Sequence, residues 1–269
     1  MDTKIFEIVE NKNGDKVITN FLDKSNTGKV IIPEGITKIH NHAFKFSKAK
    51  SFIFPSTLRI IGKSAFMECK NLEHIVLPDN IESIDSNTFN NCSNLKSIKF
   101  PKNLSYIPEF CCYLCTSLEK IILPENLSTI GKSAFENTAI KNITLPEEMT
   151  EIGRNAFAGC YDLENITLPI KITTFNDYVF SSKMTKLKDI VMPRLIINHY
   201  KAIAITDDFA HMPFHVYMKQ EYIDEYKIYK MWYNDKISDI TLDKMIENGL
   251  SLSQANTILK FEEKENDDR

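Results

Sequence analysis

The sequence predicts a β-rich solenoid, in which short strands from successive repeats stack in parallel. Eight prolines divide most of the chain into units of 22 to 24 residues: Pro33, Pro55, Pro78, Pro101, Pro124, Pro146, Pro169 and Pro193. An apolar residue stands three positions before each proline and again directly before it. Because one unit has too little apolar surface to form its own core, we expect the units to stack and bury one another's flanks.

The residues that precede each proline predict a three- or four-residue strand. The position three before proline is filled by Val30, Phe52, Ile75, Ile98, Ile121, Ile143, Ile166 and Ile190, and the position directly before it by Ile32, Phe54, Leu77, Phe100, Leu123, Leu145, Leu168 and Met192. Alternation at period two among β-branched and aromatic residues is typical of a strand with one buried face. Proline has no amide hydrogen for the ladder, so it ends the strand and turns the chain.

The second half of each unit is equally regular. It carries an apolar residue at Ile39, Ile61, Ile84, Ile107, Ile130, Ile152 and Phe175, and five residues later a large side chain at Phe44, Phe66, Phe89, Cys112, Phe135, Phe157 and Phe180. A small residue follows three positions on, at Cys69, Cys92, Cys115 and Cys160. We expect the segment around each phenylalanine to form a single helical turn that packs the ring inward.

These repeated positions resemble the BspA-like class of leucine-rich repeat. The pattern I-G-x-x-A-F-x-x-C-x-x-L-x-x-I-x-L-P occurs at residues 61–78 and again at 152–169, and the resemblance covers roughly residues 17–235. It implies a leucine-rich repeat array that acts as a non-enzymatic recognition module. Many members of the class are similar to cell-surface or secreted proteins of bacteria and parasitic protists.

The chain departs from the pattern at a few positions. Pro108 stands where glycine is usual and Cys112 where phenylalanine is usual. Thr138 replaces the small cysteine, and the last unit has an extra residue near Lys183. These changes predict local irregularities within an otherwise regular array.

Residues 1–28 precede the first full unit and predict an N-terminal β cap. Apolar residues on both sides of Asn13-Gly14 indicate two strands joined by a tight turn. A hairpin here would cover the first unit, because an open solenoid end exposes core and an unpaired strand edge.

Residues 29–193 form the predicted array, and its outward strand positions are the candidate binding surface. If the apolar positions of each strand point inward, the residues four and two before each proline point outward. The candidate partner-binding residues are Ile31, Ile53, His74, Val76, Lys99, Lys120, Ile122, Asn142, Thr144, Asn165 and Thr167. The row grades from apolar to polar, which favours a binding face. Alternatively, β-branched residues stand there for strand propensity alone.

The period breaks after Pro193. Residues 194–235 predict an irregular last coil and an aromatic cap, in which Tyr222, Tyr226, Tyr229 and Tyr233 recur at helical spacing. Residues 236–269 predict a helical pair with a charged tail, the first helix ended by Gly249 and the second opened by Ser251. This helical cap either packs on the array or serves as a docking handle.

The sequence contains no arrangement of residues that predicts catalysis, a cofactor or a metal site. Five of the six cysteines fall in repeat columns, which predicts small buried thiols rather than ligands. Cys112 and Cys115 form a CxxC without the second ligand pair that zinc needs. HExxH, GxSxG, Walker and GxGxxG motifs are all lacking from the sequence. We therefore expect no enzyme activity.

The charge and the hydropathy of the sequence argue against some classes of partner. A formal net charge of −3 argues against a nucleic-acid surface, and no apolar run reaches the length of a membrane span. Charges near the N-terminus, where a signal peptide has its apolar region, favour a cytoplasmic location. We expect a protein partner at the strand surface. The alternatives are a structural subunit of a larger or self-associating assembly, and an exported adhesin-like surface protein.

Overall fold

The computed structural model describes residues 5–169, 171–172, 174–175, 178–180, 184, 186–187, 189–192 and 215–218. It confirms the predicted β-rich solenoid with its N-terminal hairpin. Each described coil has one strand just before its proline, which we call the front strand. The coils from Pro33 to Pro169 have a second strand after the proline, which we call the rear strand. Most strands of successive coils pair in parallel. The core lies between the front strands, the rear strands and the turns that join them.

The front strands contain the positions that the sequence analysis predicts to point outward. They are β3 (Lys29–Ile31), β5 (Ser51–Ile53), β7 (His74–Val76), β9 (Ser97–Lys99), β11 (Lys120–Ile122), β13 (Asn142–Thr144), β15 (Asn165–Thr167) and β17 (Asp189–Met192). Their hydrogen-bonded ladder falls into three groups, β3–β5, β7–β9–β11 and β13–β15–β17, the last continued by β18 (His215–Met218). Within each group the register repeats residue for residue.

The rear strands are two to four residues long. They are β4 (Ile36–Ile39), β6 (Ile60–Ile61), β8 (Ser83–Ile84), β10 (Tyr106–Ile107), β12 (Thr129–Ile130), β14 (Glu151–Ile152) and β16 (Thr174–Phe175). Parallel pairing joins β4, β6 and β8 in one sheet and β10, β12, β14 and β16 in another. The hydrogen-bonded ladder of the rear strands is therefore interrupted between β8 and β10.

The N-terminal hairpin covers the first coil. Its strands β1 (Phe6–Glu10) and β2 (Lys16–Phe21) pair antiparallel, and β2 also pairs in parallel with β4. The side chain of Asn11 accepts amide hydrogen bonds from Asn13 and Asp15 and so closes the turn. Phe6 and Phe21 are buried, with ring centroids 5.6 Å apart. The hairpin thus supplies the apolar lid that the sequence predicts.

The segment around each phenylalanine is a run of overlapping β-turns rather than the predicted helical turn. Beside Phe66, Ser64 and Glu68 have φ angles of 54° and 58°, which an α-helix does not accommodate. Their amides donate to the carbonyls of Ser86 and Asn90 in the next coil, at 2.9 and 2.8 Å. The backbone makes bonds between coils where a helix would make them within itself, so a third ladder runs along this edge.

The core contains stacked aromatic rings, one from each coil except the coil that carries Cys112. Phe44 and Phe66 have centroids 5.0 Å apart and nearly parallel planes, and Phe66 lies 5.5 Å from Phe89. A second stack begins at Phe135 and continues at 5.8 Å to Phe157. The two stacks are separated by the coil that carries Cys112 at the phenylalanine position. The buried side chain of Cys112 is smaller, and the ring stacking is interrupted there.

The chain divides into two compact units, Met1–Tyr217 and Met218–Arg269. The predicted helical pair at 236–269 lies outside the described residues. Of the predicted segment at 194–235, only β18 is described.

Candidate partner-binding face

The front strands from β3 to β15 present their flanking side chains outward because the central side chain of each strand packs toward the core. Val30, Ile75 and Ile98 occupy the centres of their strands and are buried. In a strand, successive side chains point to opposite sides, so the residues on either side of each centre face away from the core. A strand of three residues therefore gives two outward columns along the array, which together we call the strand face.

All eleven candidate residues lie on the strand face. One column holds His74, Lys120, Asn142 and Asn165, and the other holds Ile31, Ile53, Val76, Lys99, Ile122, Thr144 and Thr167. The register places Ile31 beside Ile53, Lys99 between Val76 and Ile122, and the Asn and Thr pairs beside each other. The geometry brings these residues together as neighbours in rows, whereas their role in binding stays a prediction.

The aliphatic members of the strand face are open to solvent. Ile31 is 49% exposed, Ile53 44%, Val76 63% and Ile122 59%. Most apolar side chains of this size are buried in folded proteins, so a row of exposed ones is informative. They fall into two groups, one on β3–β5 and one on β7–β9–β11, because β5 and β7 do not pair. The polar Asn and Thr residues form the third group.

One polar contact fixes part of this face. The ring Nδ1 of His74 lies 2.8 Å from the hydroxyl of Ser97 on the next strand. This hydrogen bond spans the column that leads to Lys120, since Ser97 is the register partner of both residues. The imidazole is thereby held against β9.

A column of alternating charge borders the strand face, and the sequence analysis missed it. Lysine and glutamate alternate at the position five before successive prolines from Pro55 to Pro169: Lys50, Glu73, Lys96, Glu119, Lys141 and Glu164. The carboxylate of Glu73 lies 3.7 Å from the Lys50 ammonium and 3.0 Å from that of Lys96. Glu119 lies 3.4 Å from Lys141. The alternation of lysine and glutamate at one repeat position is the sequence signal that could have revealed this column.

The charged column has a defined electrostatic effect. The hydrogen bond and the charge of Lys96 lower the pKa of the Glu73 carboxyl. Exposed ion pairs add little to stability, and salt screens them. They do set a pattern of charges beside the apolar row, and such patterns mainly control specificity and the rate of association.

The cysteines pack in the core and form hydrogen bonds to neighbouring coils. All six are buried free thiols. Cys69 and Cys92 donate hydrogen bonds of 3.2 and 3.1 Å to the carbonyls of Phe44 and Phe66, each in the preceding coil. Within the described ranges, no group of three or more His, Cys, Asp or Glu side chains is arranged to hold a metal ion. Cys111, which the sequence analysis left unexplained, lies in the column of small residues occupied elsewhere by alanine.

In the part of the chain that the structure describes, no helix is long and apolar enough to cross a bilayer.

Solved structures share this architecture. A leucine-rich cell surface protein from Faecalibacterium prausnitzii is 20% identical, with a TM-score of 0.51 over 70% of this chain and 69% of that one. A leucine-rich repeat protein of T. pallidum is 22% identical, with a TM-score of 0.49 over 79% of this chain and 95% of its own. At these identities the likeness concerns the fold alone.

A third solved structure is the pneumococcal vaccine antigen PcpA, which is 18% identical, with a TM-score of 0.45 over 81% of this chain and 78% of that one. No curated protein matches the chain. A model of the family described as BspA type leucine rich repeat region (6 copies) matches residues 17–138 and 93–203. These matches span more than half of the sequence and coincide with the coils described above, so the chain belongs to the BspA-type leucine-rich repeat family.

Proposed function

We propose that this protein is a non-enzymatic recognition module that binds a protein partner through its strand face. The observation that carries the proposal is the row formed by Val76, Lys99 and Ile122 on three hydrogen-bonded strands. Two aliphatic side chains, 63% and 59% exposed, flank one cation there. Apolar side chains in the middle of a charged surround are typical of protein interfaces.

The scaffold supports this role because its backbone is already fixed. The front strands are tied to their neighbours by ladder bonds, among them 3.1 Å from the Leu77 amide to the Lys99 carbonyl and 3.1 Å from the Phe100 amide to the Ile122 carbonyl. A surface held in this way loses little conformational freedom when a partner docks, which favours affinity. The neighbouring lysine and glutamate column adds a charge pattern that selects among partners.

A pull-down from source-cell lysate and from culture medium tests the proposal. The bait is the whole chain beside a variant with Val76, Lys99 and Ile122 each changed to glutamate. A control variant carries Phe46→Glu, Lys132→Glu and Tyr161→Glu, three positions outside the strand face; glutamate already occupies the equivalent of position 46 at Glu68. Circular dichroism and urea unfolding verify that all three proteins fold.

We expect the strand-face variant to lose its partner and the control variant to keep it. A partner that both variants retain would contradict the proposal and assign binding to another surface. A partner recovered only from the medium would favour the adhesin-like alternative, and the cell-surface description of the F. prausnitzii protein makes that arm worth including. The cytoplasmic location stays a prediction, which fractionation of the source cell tests.

Self-association is a second candidate, favoured by Ile31 and Ile53. These residues are adjacent in register, about half exposed, and lie at one end of the front strands. Two copies that met at this end would cover both side chains. Light scattering at rising protein concentration tests the idea: a mass that stays monomeric into the high micromolar range contradicts it, and a dimer lost on Ile31→Glu and Ile53→Glu supports it.

A further inference from the structure

The outward columns of the strand face carry lysines and no carboxylates. From β3 to β15, neither aspartate nor glutamate occurs at an outward position, whereas lysine occurs at Lys29, Lys99 and Lys120. The first acidic residue in register with these columns is Asp189, on β17. The chain as a whole has the opposite balance, with 36 acidic and 33 basic residues. The outward columns are therefore cationic on a chain of net negative charge.

The bordering column does not neutralise these lysines, because its own charges are paired with one another. Glu73 lies 3.0 Å from Lys96, and Glu119 lies 3.4 Å from Lys141. We call β7, β9 and β11 the middle strands. The outward lysines of these strands form no ion pair with any residue that the structure describes. Two cations of the middle strands are thus left for a partner.

Lys99 lies between the two exposed aliphatic residues of the middle strands. The register pairs it with Val76 on one side and with Ile122 on the other. Its side chain is partly buried, whereas those of Val76 and Ile122 are 63% and 59% exposed. A partner that covers both aliphatic side chains therefore covers Lys99 as well.

Covering Lys99 imposes a chemical condition on the partner. An ammonium group that loses its water without gaining an anion or an acceptor opposes binding, so the partner has to present such a group beside it. A carboxylate meets this condition best, because a hydrogen bond between two charged groups is stronger than one to a neutral oxygen. The apolar row thus selects for an acidic partner through the lysine at its centre.

Lys120 places a second cation at a defined distance from the first. It is exposed on the strand next to that of Lys99, and its register partner Ser97 stands two positions before Lys99. A strand spacing of about 4.8 Å and a rise of about 3.3 Å per residue put the two lysine Cα atoms about 8 Å apart. Alternate side chains of an extended segment lie on one side at a spacing of about 7 Å. Two carboxylates in such a segment therefore match the two lysines.

A second copy of this chain does not meet the condition. Two copies that met at their middle strands would bring outward lysines together, and the outward columns from β3 to β15 have no carboxylate to offer in return. Like charges that face each other across an interface suppress association. The partner of the middle strands is accordingly a different protein.

We propose that the partner of the strand face binds through an acidic, aliphatic segment. Its carboxylates contact Lys99 and Lys120, and its apolar side chains cover Val76 and Ile122. This inference rests on the function proposed above and adds the chemistry of the partner.

Selection from a random dodecapeptide library displayed on phage tests the proposal. The targets are the full chain and a variant with Lys99→Glu and Lys120→Glu. We expect the peptides selected on the wild type to contain at least twice the aspartate and glutamate of the unselected library. On the variant, whose two cations have become anions, we expect enrichment of lysine and arginine instead.

Fluorescence anisotropy of the most enriched wild-type peptide measures the contribution of charge. We expect at least tenfold weaker binding to a variant with Lys99→Gln and Lys120→Gln, and a similar loss when sodium chloride rises from about 50 to about 500 mM. The matched control carries Lys63→Gln and Lys132→Gln, two exposed lysines that follow rear strands β6 and β12. It changes the net charge by the same amount and is expected to keep full affinity. Circular dichroism and urea unfolding verify that each variant folds.

Two results would separate this inference from the function on which it rests. Peptides that lose binding in a variant with Val76→Asn and Ile122→Asn, but that show no excess of carboxylates, would overturn the acidic partner and leave the strand face as the binding surface. Peptides that bind this variant as well as the wild type would overturn both proposals.

Two further results would overturn the acidic partner alone. One is a selection that enriches no peptide on the wild type. The other is equal competition by a duplex DNA of twelve base pairs, because binding would then be adsorption of any polyanion on two lysines.

Discussion

The thiol of Cys160 donates a hydrogen bond of 3.1 Å to the main-chain carbonyl of Phe135, one coil earlier. Cys115 makes the same bond to Phe89. The cysteine column thus satisfies a buried carbonyl as well as filling a small space, which a purely apolar side chain of the same size would not do. Thr138, the one threonine in this column, turns back to the Phe135 carbonyl of its own coil at 2.9 Å.

Stability at alkaline pH is expected to depend on Cys160. Burial raises the pKa of its thiol from the ordinary value of 9.0 to about 11. Between these values the unfolded chain releases the proton while the folded chain keeps it, so the free energy of unfolding falls as pH rises from about 9 to about 11, by about 1.4 kcal/mol for each unit of pKa difference. Below pH 9 the contribution is fully present.

Urea unfolding at pH 8, 9, 10 and 11 checks this dependence. Cys160→Ser keeps a donor for the Phe135 carbonyl but does not titrate in this range, so its stability is expected to fall less steeply than that of the wild type. Tyrosine and lysine titrate equally in both proteins and cancel. Parallel curves for the two proteins would contradict the prediction.

Gly131→Ala is expected to destabilise the array by about 1–3 kcal/mol. A Cβ at this position would lie 2.7 Å from the Glu109 amide nitrogen and 2.9 Å from the Ile107 carbonyl oxygen, so the neighbouring coil would have to move. Gly28→Ala is the matched control, because the nearest atom there is the Asn26 Oδ1 at 3.4 Å. Equal stability of the two variants in urea would show that the neighbouring coil moves away with little loss of free energy.

Phe157→Ala is expected to cost about 3–5 kcal/mol, since it removes a fully buried ring from the second aromatic stack. Its ring lies 5.8 Å from that of Phe135 and 6.2 Å from that of Phe180. Tyr161→Ala removes a ring that is 49% exposed, and we expect a much smaller change. Thermal and urea unfolding of the two variants measure the difference, and similar losses would place the stabilising contacts elsewhere.

Phe46 offers a test of the turn edge. Its φ of 66° is left-handed and its ring is 52% exposed, with the Lys45 ammonium 4.7 Å from the ring centroid. Both Phe46→Ala and Phe46→Gly lose the ring, but only glycine relieves the backbone strain, so we expect the glycine variant to be the more stable by about 1 kcal/mol. At Lys45, whose φ is not positive, the order of the alanine and glycine variants should reverse. Urea unfolding of the four variants decides the matter.

The regular features of this fold could be predicted because each one recurs at a fixed position. The alternation of inward and outward residues before Pro78 and the aromatic residue Phe66 are local sequence patterns. Each is ambiguous in a single copy, but its repetition over several coils makes the prediction secure. The turn edge was mispredicted as helical because A-F-x-x-C has helical spacing. Asn87 and Asn91, at positions of positive φ, were the signal against it, since asparagine tolerates the left-handed region.

The features of the two faces differ in how far they could be predicted from the sequence. The strand face follows directly from the period of two, and the Lys50 to Lys141 column could have been found by reading one more repeat position. The break in the rear ladder could not be placed, although Pro108 was recognised as a departure. Pairing is a property of two coils, and only the structure reveals that β8 and β10 are unpaired while the turns beside them stay hydrogen-bonded.

The hairpin at the beginning of the array restricts where repeats can be gained or lost. The strand β1 runs antiparallel to β2, whereas the paired strands from β2 to β17 run parallel, so the outer edge of β1 does not continue the parallel stacking of the coils. Gain or loss of repeats has to occur between the hairpin and the distal coils, in whole turns. A partial insertion would shift the phenylalanine column that contains Phe66 and Phe157 out of alignment, so the strand face can change in length only by whole strand spacings of about 4.8 Å.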